Sequence, residues 1–202
     1  MSGEYILRRG RPGVLKIYQA DECVGTLPAA LVRQEGYGFS LSAEALDKLR
    51  DAMPSFARRK ALDLLAARDY GPGELQRKLM GYGLPEDICA AAVAAAVRSG
   101  LVDEAGYAAR RARAGYAGGK GTRVVAADLR ARGIGDELIR EVTDDPEASA
   151  AALVKTLAKL RPKYGDSPEG RRKLYAALAR RGFTGDDLRG IFSAHEDFDE
   201  TP

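Results

Sequence analysis

The sequence predicts a mainly α protein: three tandem three-helix repeats of helix-turn-helix type in an elongated, curved arrangement, preceded by a small N-terminal region with short strands. Three observations predict it. First, a unit of about fifty residues occurs three times, most visibly as Leu79-Met80-Gly81-Tyr82-Gly83-Leu84, Leu129-Arg130-Ala131-Arg132-Gly133-Ile134 and Leu178-Ala179-Arg180-Arg181-Gly182-Phe183. The turn glycines are 50 and then 49 residues apart. Second, apolar residues keep helical phase around each glycine. Leu75, Val125 and Leu174 lie four positions before the leucines; Ile88, Leu138 with Ile139, and Leu188 follow the turn, and Val93, Val142 and Ile191 with Phe192 come after them. Third, alanine is abundant and tryptophan absent, so helices approach closely while each unit has few large anchors and leans on its neighbours. A repeat of this period presents a long surface rather than one pocket.

Residues 1–54 differ in texture. Tyr5-Ile6-Leu7 and Val14-Leu15-Lys16-Ile17-Tyr18 are rich in β-branched and aromatic residues and are separated by the turn-forming Arg9-Gly10-Arg11-Pro12-Gly13. Asp21-Glu22 leads into Cys23-Val24-Gly25-Thr26-Leu27, which makes two or three short strands. Ser42 caps a helix carrying Leu46 and Leu49, which Pro54 should end or kink.

The first repeat, 55–101, starts with Ser55 as the cap of a helix through Arg68. Pro72 and Pro85 fit the first turns of its second and third helices. In the second repeat, 102–145, Asp103 caps a helix through Gly115. The loop from Gly115 to Gly121 leads to a helix from Thr122 to Arg132, and a third runs from Gly135 to about Thr143. In the third repeat, 146–194, Asp145 caps with Pro146 in the first turn, Pro162 ends that helix, Ser167-Pro168 opens the next and Thr184 caps the last. Each turn glycine suits the position just past a helix end, where positive φ is needed, and the apolar residue behind it folds back onto that helix. Residues 195–202 form an acidic tail.

The net charge of +3 is unevenly spread. Residues 58–189 hold 25 basic and 18 acidic side chains, and Glu196, Asp197, Asp199 and Glu200 lie beyond them. Basic modules of this kind suit nucleic acid or an acidic protein, or are simply solvated faces. Cys23 and Cys89 have no paired spacing, and neither a signal peptide nor a membrane-spanning run is visible. A cytoplasmic protein with free thiols and no membrane association is expected.

Catalytic chemistry is not assembled. His195, the single histidine, lies near the end of the chain, and with two distant cysteines neither a zinc site nor a Cys/His nucleophile forms. No cofactor is expected. Glu86-Asp87, Asp136-Glu137 and Asp186-Asp187 fall in first turns of third helices, where they offset the positive helix end. Gly119-Lys120 is followed by Gly121 rather than Ser or Thr and follows a helix, so the loop is not a phosphate loop; it reads as a flexible connector. Tyr70, Tyr116 and Tyr164, upstream of each turn, read as packing residues more than as stacking platforms for bases.

With these features together, the chain resembles the RecX family of regulatory proteins. The resemblance rests on Leu64-Leu65 and Arg68-Asp69-Tyr70 with Glu74-Leu75 and Arg77-Lys78-Leu79, on Gly100-Leu101-Val102-Asp103-Glu104 with Tyr107-Ala108, and on the second and third glycine turns. It covers about residues 58–192. The family often has Gly-Pro before the second helix of the middle repeat, where this chain has Gly121-Thr122. The resemblance implies a non-enzymatic negative regulator of the RecA recombinase, acting in homologous recombination, DNA repair and the SOS response. Such a protein lies in the groove of the RecA filament on single-stranded DNA, limits filament extension, and so lowers ATPase, strand exchange and coprotease activity. Monomeric modules in series suit a helical polymer, because weak contacts add through effective concentration.

The candidate partner- and DNA-binding residues are Arg58, Arg59, Lys60, Arg77, Lys78, Arg110, Arg111, Arg123, Arg130, Arg132, Arg171, Arg172, Lys173, Arg180 and Arg181. Arg132 and Arg181 recur just before the turn glycine, and Arg123 and Arg172 recur early in the second helix, which suggests a shared face. Two other readings stand beside the regulator: a direct DNA-binding protein placing helix-turn-helix-like units in the major groove, and a helical scaffold unrelated to recombination.

Overall fold

A computed structural model describes residues 4–192, with side chains through Arg189. His195 and the acidic residues Glu196, Asp197, Asp199 and Glu200 lie outside the described residues, as do the side chains of Ile191 and Phe192. The described residues form ten helices and a four-stranded antiparallel sheet, and the chain divides into two compact units at Glu104/Ala105.

The first unit contains β1 (Tyr5–Arg9), β2 (Val14–Gln19), β3 (Glu22–Pro28), α1 (Ala29–Gln34), β4 (Ser40–Leu41), α2 (Ala43–Ala67), α3 (Pro72–Gly81) and α4 (Glu86–Arg98). The strand order is β3-β2-β1-β4. Pairing of Leu7 with Ile17 and of Arg8 with Lys16 sends the leucine and isoleucine inward and the cations outward, as the two-residue period of a strand requires. Leu7, Ile17, Leu27 and Leu41 join Leu46, Leu49, Phe56, Leu75 and Leu79 in one core, so the sheet and the first repeat fold together.

Two elements of this unit are not visible in the sequence. Helix α1 has six residues, too few for helical periodicity to register. Strand β4 has two and exists only through its pairing with β1. Pro54 does not end its helix, and Ser55 starts none: α2 runs unbroken for 25 residues across both. An interior proline removes a hydrogen bond and crowds the preceding turn, at about 3 kcal/mol. Burial of Met53, Phe56 and Ala57 on either side of it offsets that cost. The boundary expected at residue 54 therefore falls inside a helix.

The second unit contains α5 (Glu104–Ala117), α6 (Thr122–Ala131), α7 (Asp136–Thr143), α8 (Pro146–Tyr164), α9 (Pro168–Arg180) and α10 (Gly185–Phe192). Its caps follow the sequence. Asp145 Oδ1 accepts from Ala148 N at 2.9 Å and Ser167 Oγ from Gly170 N at 3.1 Å. Thr184 and Asp187 form a reciprocal capping box, at 3.2 Å and 2.7 Å. Pro162 does not end α8, which continues to Tyr164. The second and third repeats share a core of Tyr107, Tyr116, Val125, Leu129, Ile139, Leu153, Leu174, Leu178, Phe183 and Leu188.

The recurring turns have φ of +87° at Gly83, +81° at Gly133 and +93° at Gly182. Two of them are docking points. At the first, Arg11 Nη2 donates to Met80 O at 2.7 Å and Thr26 Oγ1 to Gly83 O at 3.0 Å, so the sheet is pinned to the turn. At the third, Gly121 N donates to Arg181 O at 2.8 Å and Arg123 N to Gly182 O at 3.0 Å, so the N-terminus of α6 is pinned to the turn. A Cβ on Gly121 would overlap the backbone of Gly182 and Phe183.

The loop before α6 is correspondingly fixed. Thr156 Oγ1 donates to Gly119 O at 3.1 Å and Lys155 Nζ to Ala117 O at 2.8 Å, so the flexible connector expected from its glycines is instead a seated one. Gly121→Ala is expected to lower stability by about 1–3 kcal/mol through backbone overlap. Urea unfolding checks this, and Gly135→Ala, where a Cβ would meet nothing within 4 Å, is the comparison.

Candidate functional site

The expected binding residues separate into three groups. Exposed and without a side-chain partner among the described residues are Arg77 and Lys78 on α3, Arg123 on α6, and Arg171, Arg172 and Arg180 on α9. All sit on second helices of the repeats. Each repeat thus offers cations on the helix that runs into its glycine turn.

A second group is exposed to varying degrees but engaged locally. Arg58 reaches Ser55 Oγ at 3.4 Å, Arg59 donates to Gln34 Oε1 at 2.9 Å, and Lys60 pairs with Asp63 at 2.9 Å. Arg130 pairs with Asp136 at 2.6 Å and Lys173 with Glu169 at 2.6 Å. Such exposed pairs are worth at most about 1 kcal/mol, so a partner anion can displace them. Arg110 is exposed on α5 and also engaged.

The third group is half-buried and joined in one network. Asp128 on α6 accepts from Arg132 Nε at 3.0 Å and from Arg111 Nη2 at 2.9 Å, and Arg132 Nη1 donates to Tyr107 OH at 3.1 Å. This network ties α5 to α6. Burial alone would push the Asp128 carboxyl up, but the hydrogen bonds from Arg132 and Arg111 outweigh it and hold it below the usual carboxylate range. The Asp128 hydrogen bond in turn raises the Arg132 guanidinium above its ordinary value. Arg111 Nε is buried without a partner.

Arg111 and Arg132 are thus engaged within the protein, and Arg132 and Arg181, both half-buried in the same phase, differ in their surroundings. Asp128 lies four positions before Arg132, whereas Ala177 lies four before Arg181, so the half-buried Arg181 lacks that anchor. Arg123 and Arg172, by contrast, are both exposed.

The tyrosines pack at all three positions. Tyr70 and Tyr116 are buried, and Tyr164 packs against the second core from a half-buried site. Tyr116 OH donates to Thr143 O at 3.1 Å. Burial raises its phenol above the ordinary value, with Asp145 and Asp187 adding to the effect.

Among the described residues, no group of three or more His, Cys, Asp or Glu is placed to hold a metal ion, and no helix is long and apolar enough to cross a membrane. Cys23 and Cys89 are both free thiols. Burial, with Asp87 and Glu86 adding to it, pushes the Cys89 thiol up to about 11, which leaves it protonated and unreactive at neutral pH.

Sequence reasoning passed over one concavity. A cavity of about 470 Å³ opens in the N-terminal unit between the β1–β2 turn and the segment joining α1 to β4. Its walls include Arg9, Arg11 and Arg33 with Tyr37 and Phe39. The available signal was the alternation of arginine with turn residues in Arg9-Gly10-Arg11, together with aromatics at 37 and 39. Its lining comes from two separate stretches of chain, residues 9–15 and 29–39, so only folding brings them together.

Asp128→Asn is expected to lower stability by about 1–3 kcal/mol at pH 7, the scale of hydrogen bonds to charged groups. Because the folded carboxyl is depressed, its contribution is present above the ordinary carboxylate value and is lost as pH falls through the folded one. The gap between wild type and variant should therefore close below about pH 4, which urea unfolding across pH reads directly.

Three family models match in series: RecX first three-helix domain at residues 57–94, second at 103–142 and third at 147–191. Regulatory protein RecX of Halorhodospira halophila is 34% identical over 145 residues, which is 71% of this chain and 90% of that protein. Regulatory protein RecX of Mycobacterium ulcerans is 35% identical over 138 residues, 63% of this chain and 78% of that one. In fold, a crystal structure of regulatory protein RecX matches with a TM-score of 0.64 at 21% identity, over 96% of this chain and 100% of that chain. RecX from Lactobacillus salivarius matches with a TM-score of 0.61 at 20% identity, over 73% and 99%. With all three of its helical repeats matched in order, the chain belongs to the RecX family of regulatory proteins.

Proposed function

We propose that this protein is a non-enzymatic negative regulator of the RecA recombinase. It binds along the groove of the RecA filament on single-stranded DNA, limits filament extension, and so reduces ATP turnover, strand exchange and coprotease activity. The observation that carries this reading is the match of all three helical domains to the RecX family, each domain having on its second helix exposed cations that have no side-chain partner among the described residues. Contacts of that kind, repeated along one chain, add on a polymer of repeated subunits because each binding event raises the effective concentration for the next. They also suit both acidic protein surface and DNA phosphates.

Direct DNA binding through α6 has less support. A helix that reads a major groove does so with its N-terminal residues, and the N-terminus of α6 is sealed by the turn at Gly182, where both Gly121 N and Arg123 N are engaged.

Single-strand-dependent ATP hydrolysis by RecA tests the proposal. The protein is expected to inhibit at well below one copy per recombinase. Replacing Arg123, Arg171 and Arg172 together by alanine should raise the half-inhibitory concentration by about tenfold, the equivalent of about 1.4 kcal/mol. Undiminished ATP hydrolysis, alongside salt-sensitive binding to DNA without recombinase, would overturn it in favour of direct DNA binding.

A further inference from the structure

We propose that the N-terminal unit carries its own binding site for single-stranded nucleic acid, in the cavity between the β1–β2 turn and the α1–β4 segment. Phe39 and Tyr37 supply the surface for a base, and Arg9 and Arg33 the contacts to phosphate. The site lies outside the helical repeats and does not rest on the RecA reading.

Leu7 N donates to Phe39 O at 2.7 Å, next to the pairing of Tyr5 with Leu41 and Ile6 with Ser40. Phe39 stands at the bend directly before β4, two residues from Leu41, which is buried in the core. Yet Phe39 is 56% exposed. The core ends before it, and Phe39 lines the cavity together with Tyr37 and the buried Val32. An exposed ring leaves apolar surface in water, which a stacked ligand would cover.

The surrounding charge is of one sign. Arg9, Arg11 and Arg33 line the cavity and no acidic residue does. Arg11 is held by Met80 O through one nitrogen and adds its charge from a fixed position. Arg9 and Arg33 are exposed and have no side-chain partner among the described residues. Elsewhere in the same sheet the comparable cation Arg8 is paired with Asp21 and lies over the ring of Tyr18, so unpaired arginine is not the rule here.

Both walls are preorganised. Gly10 N to Val14 O at 3.0 Å and Val14 N to Arg11 O at 3.0 Å close the β1–β2 turn. Gly36, at φ +74°, ends α1 with its N–H on Arg33 O at 3.1 Å and Tyr37 N on Val32 O at 3.0 Å. That pair of bonds is a Schellman cap, which fixes Arg33 and Tyr37 relative to one another.

An aromatic wall flanked by free cations matches a single strand, which presents unstacked bases and phosphates together. In a duplex the base faces are occupied by stacking and cannot reach Phe39. An acidic peptide would use the arginines but leave the aromatic wall unmatched. The cavity volume of about 470 Å³ falls in the range of about 300–1,000 Å³ that encloses a ligand, which here is one or two nucleotides of the strand.

The test uses the full chain without RecA and a fluorescein-labelled oligothymidylate, read by anisotropy. Phe39→Ala should weaken binding by about tenfold. Arg9→Gln with Arg33→Gln should reduce the slope of log affinity against log salt by about 1.4, two phosphates at ~0.7 each. All three positions are exposed, so thermal melting should be unchanged, and Phe39→Tyr should retain binding. Wild-type affinity in both the Phe39→Ala and the double-arginine variants would overturn the proposal, as would equal affinity for blunt duplex or for thymidine monophosphate. Loss on arginine replacement without loss on Phe39→Ala would also overturn it, because that pattern marks an unspecific electrostatic surface. The filament reading is judged separately, by ATP hydrolysis.

Discussion

The backbone carbonyls at the glycine turns of the first and third repeats are what the rest of the structure is arranged around. A helix leaves its last carbonyls without intrahelical donors, and the positive-φ glycine that ends it turns the chain too sharply to cover them all. In the first repeat the sheet supplies donors, from Arg11 to Met80 O and from Thr26 to Gly83 O. In the third repeat the second one supplies them, from Gly121 N to Arg181 O and Arg123 N to Gly182 O. The same local motif therefore joins β to α in one unit and α to α in the other. Small residues at the approach, Gly83 under Val14 and Gly121 under Phe183, let the backbones come close enough for those bonds.

That arrangement decides which repeated residues remain free to bind. Positions in phase along the sequence are not equivalent once neighbours dock. Arg132 is tied by Asp128 and Tyr107, while Arg181 in the same phase has alanine where Asp128 would be. Arg123 contributes its backbone N–H to a joint and its side chain to solvent. A charge run read from sequence is thus divided by folding into anchors and exposed cations, and each kind is found within a single repeat.

Much of the helical architecture was legible because it is written in local terms. Caps at Ser42, Asp145, Ser167 and Thr184, the apolar phase around Leu79, Leu129 and Leu178, and the turn glycines all act within one or two helical turns. What was misread depended on distant partners. Pro54 and Pro162 carry a local signal to stop, but α2 crosses the first because its flanking residues are buried, and α8 passes the second for two more residues. Helix α1 and strand β4 are too short to announce themselves. The loop before α6 looks mobile by its glycines and is held by Thr156 and Lys155, more than thirty residues away. Of the candidate site, the exposed cations of α3, α6 and α9 were legible; the network holding Arg111 and Arg132, and the cavity around Phe39, were not.

By itself the sequence determined that this is a chain of three helical modules with basic second helices, because repeat period, capping and charge are properties of neighbouring residues. Only the tertiary structure decided that the first module shares its core with a four-stranded sheet while the other two share one with each other, and which arginines are tied to neighbouring side chains. The sharing of cores goes with the donors that reach the first and third glycine turns, and donors and acceptors there are separated by more than fifty residues of chain.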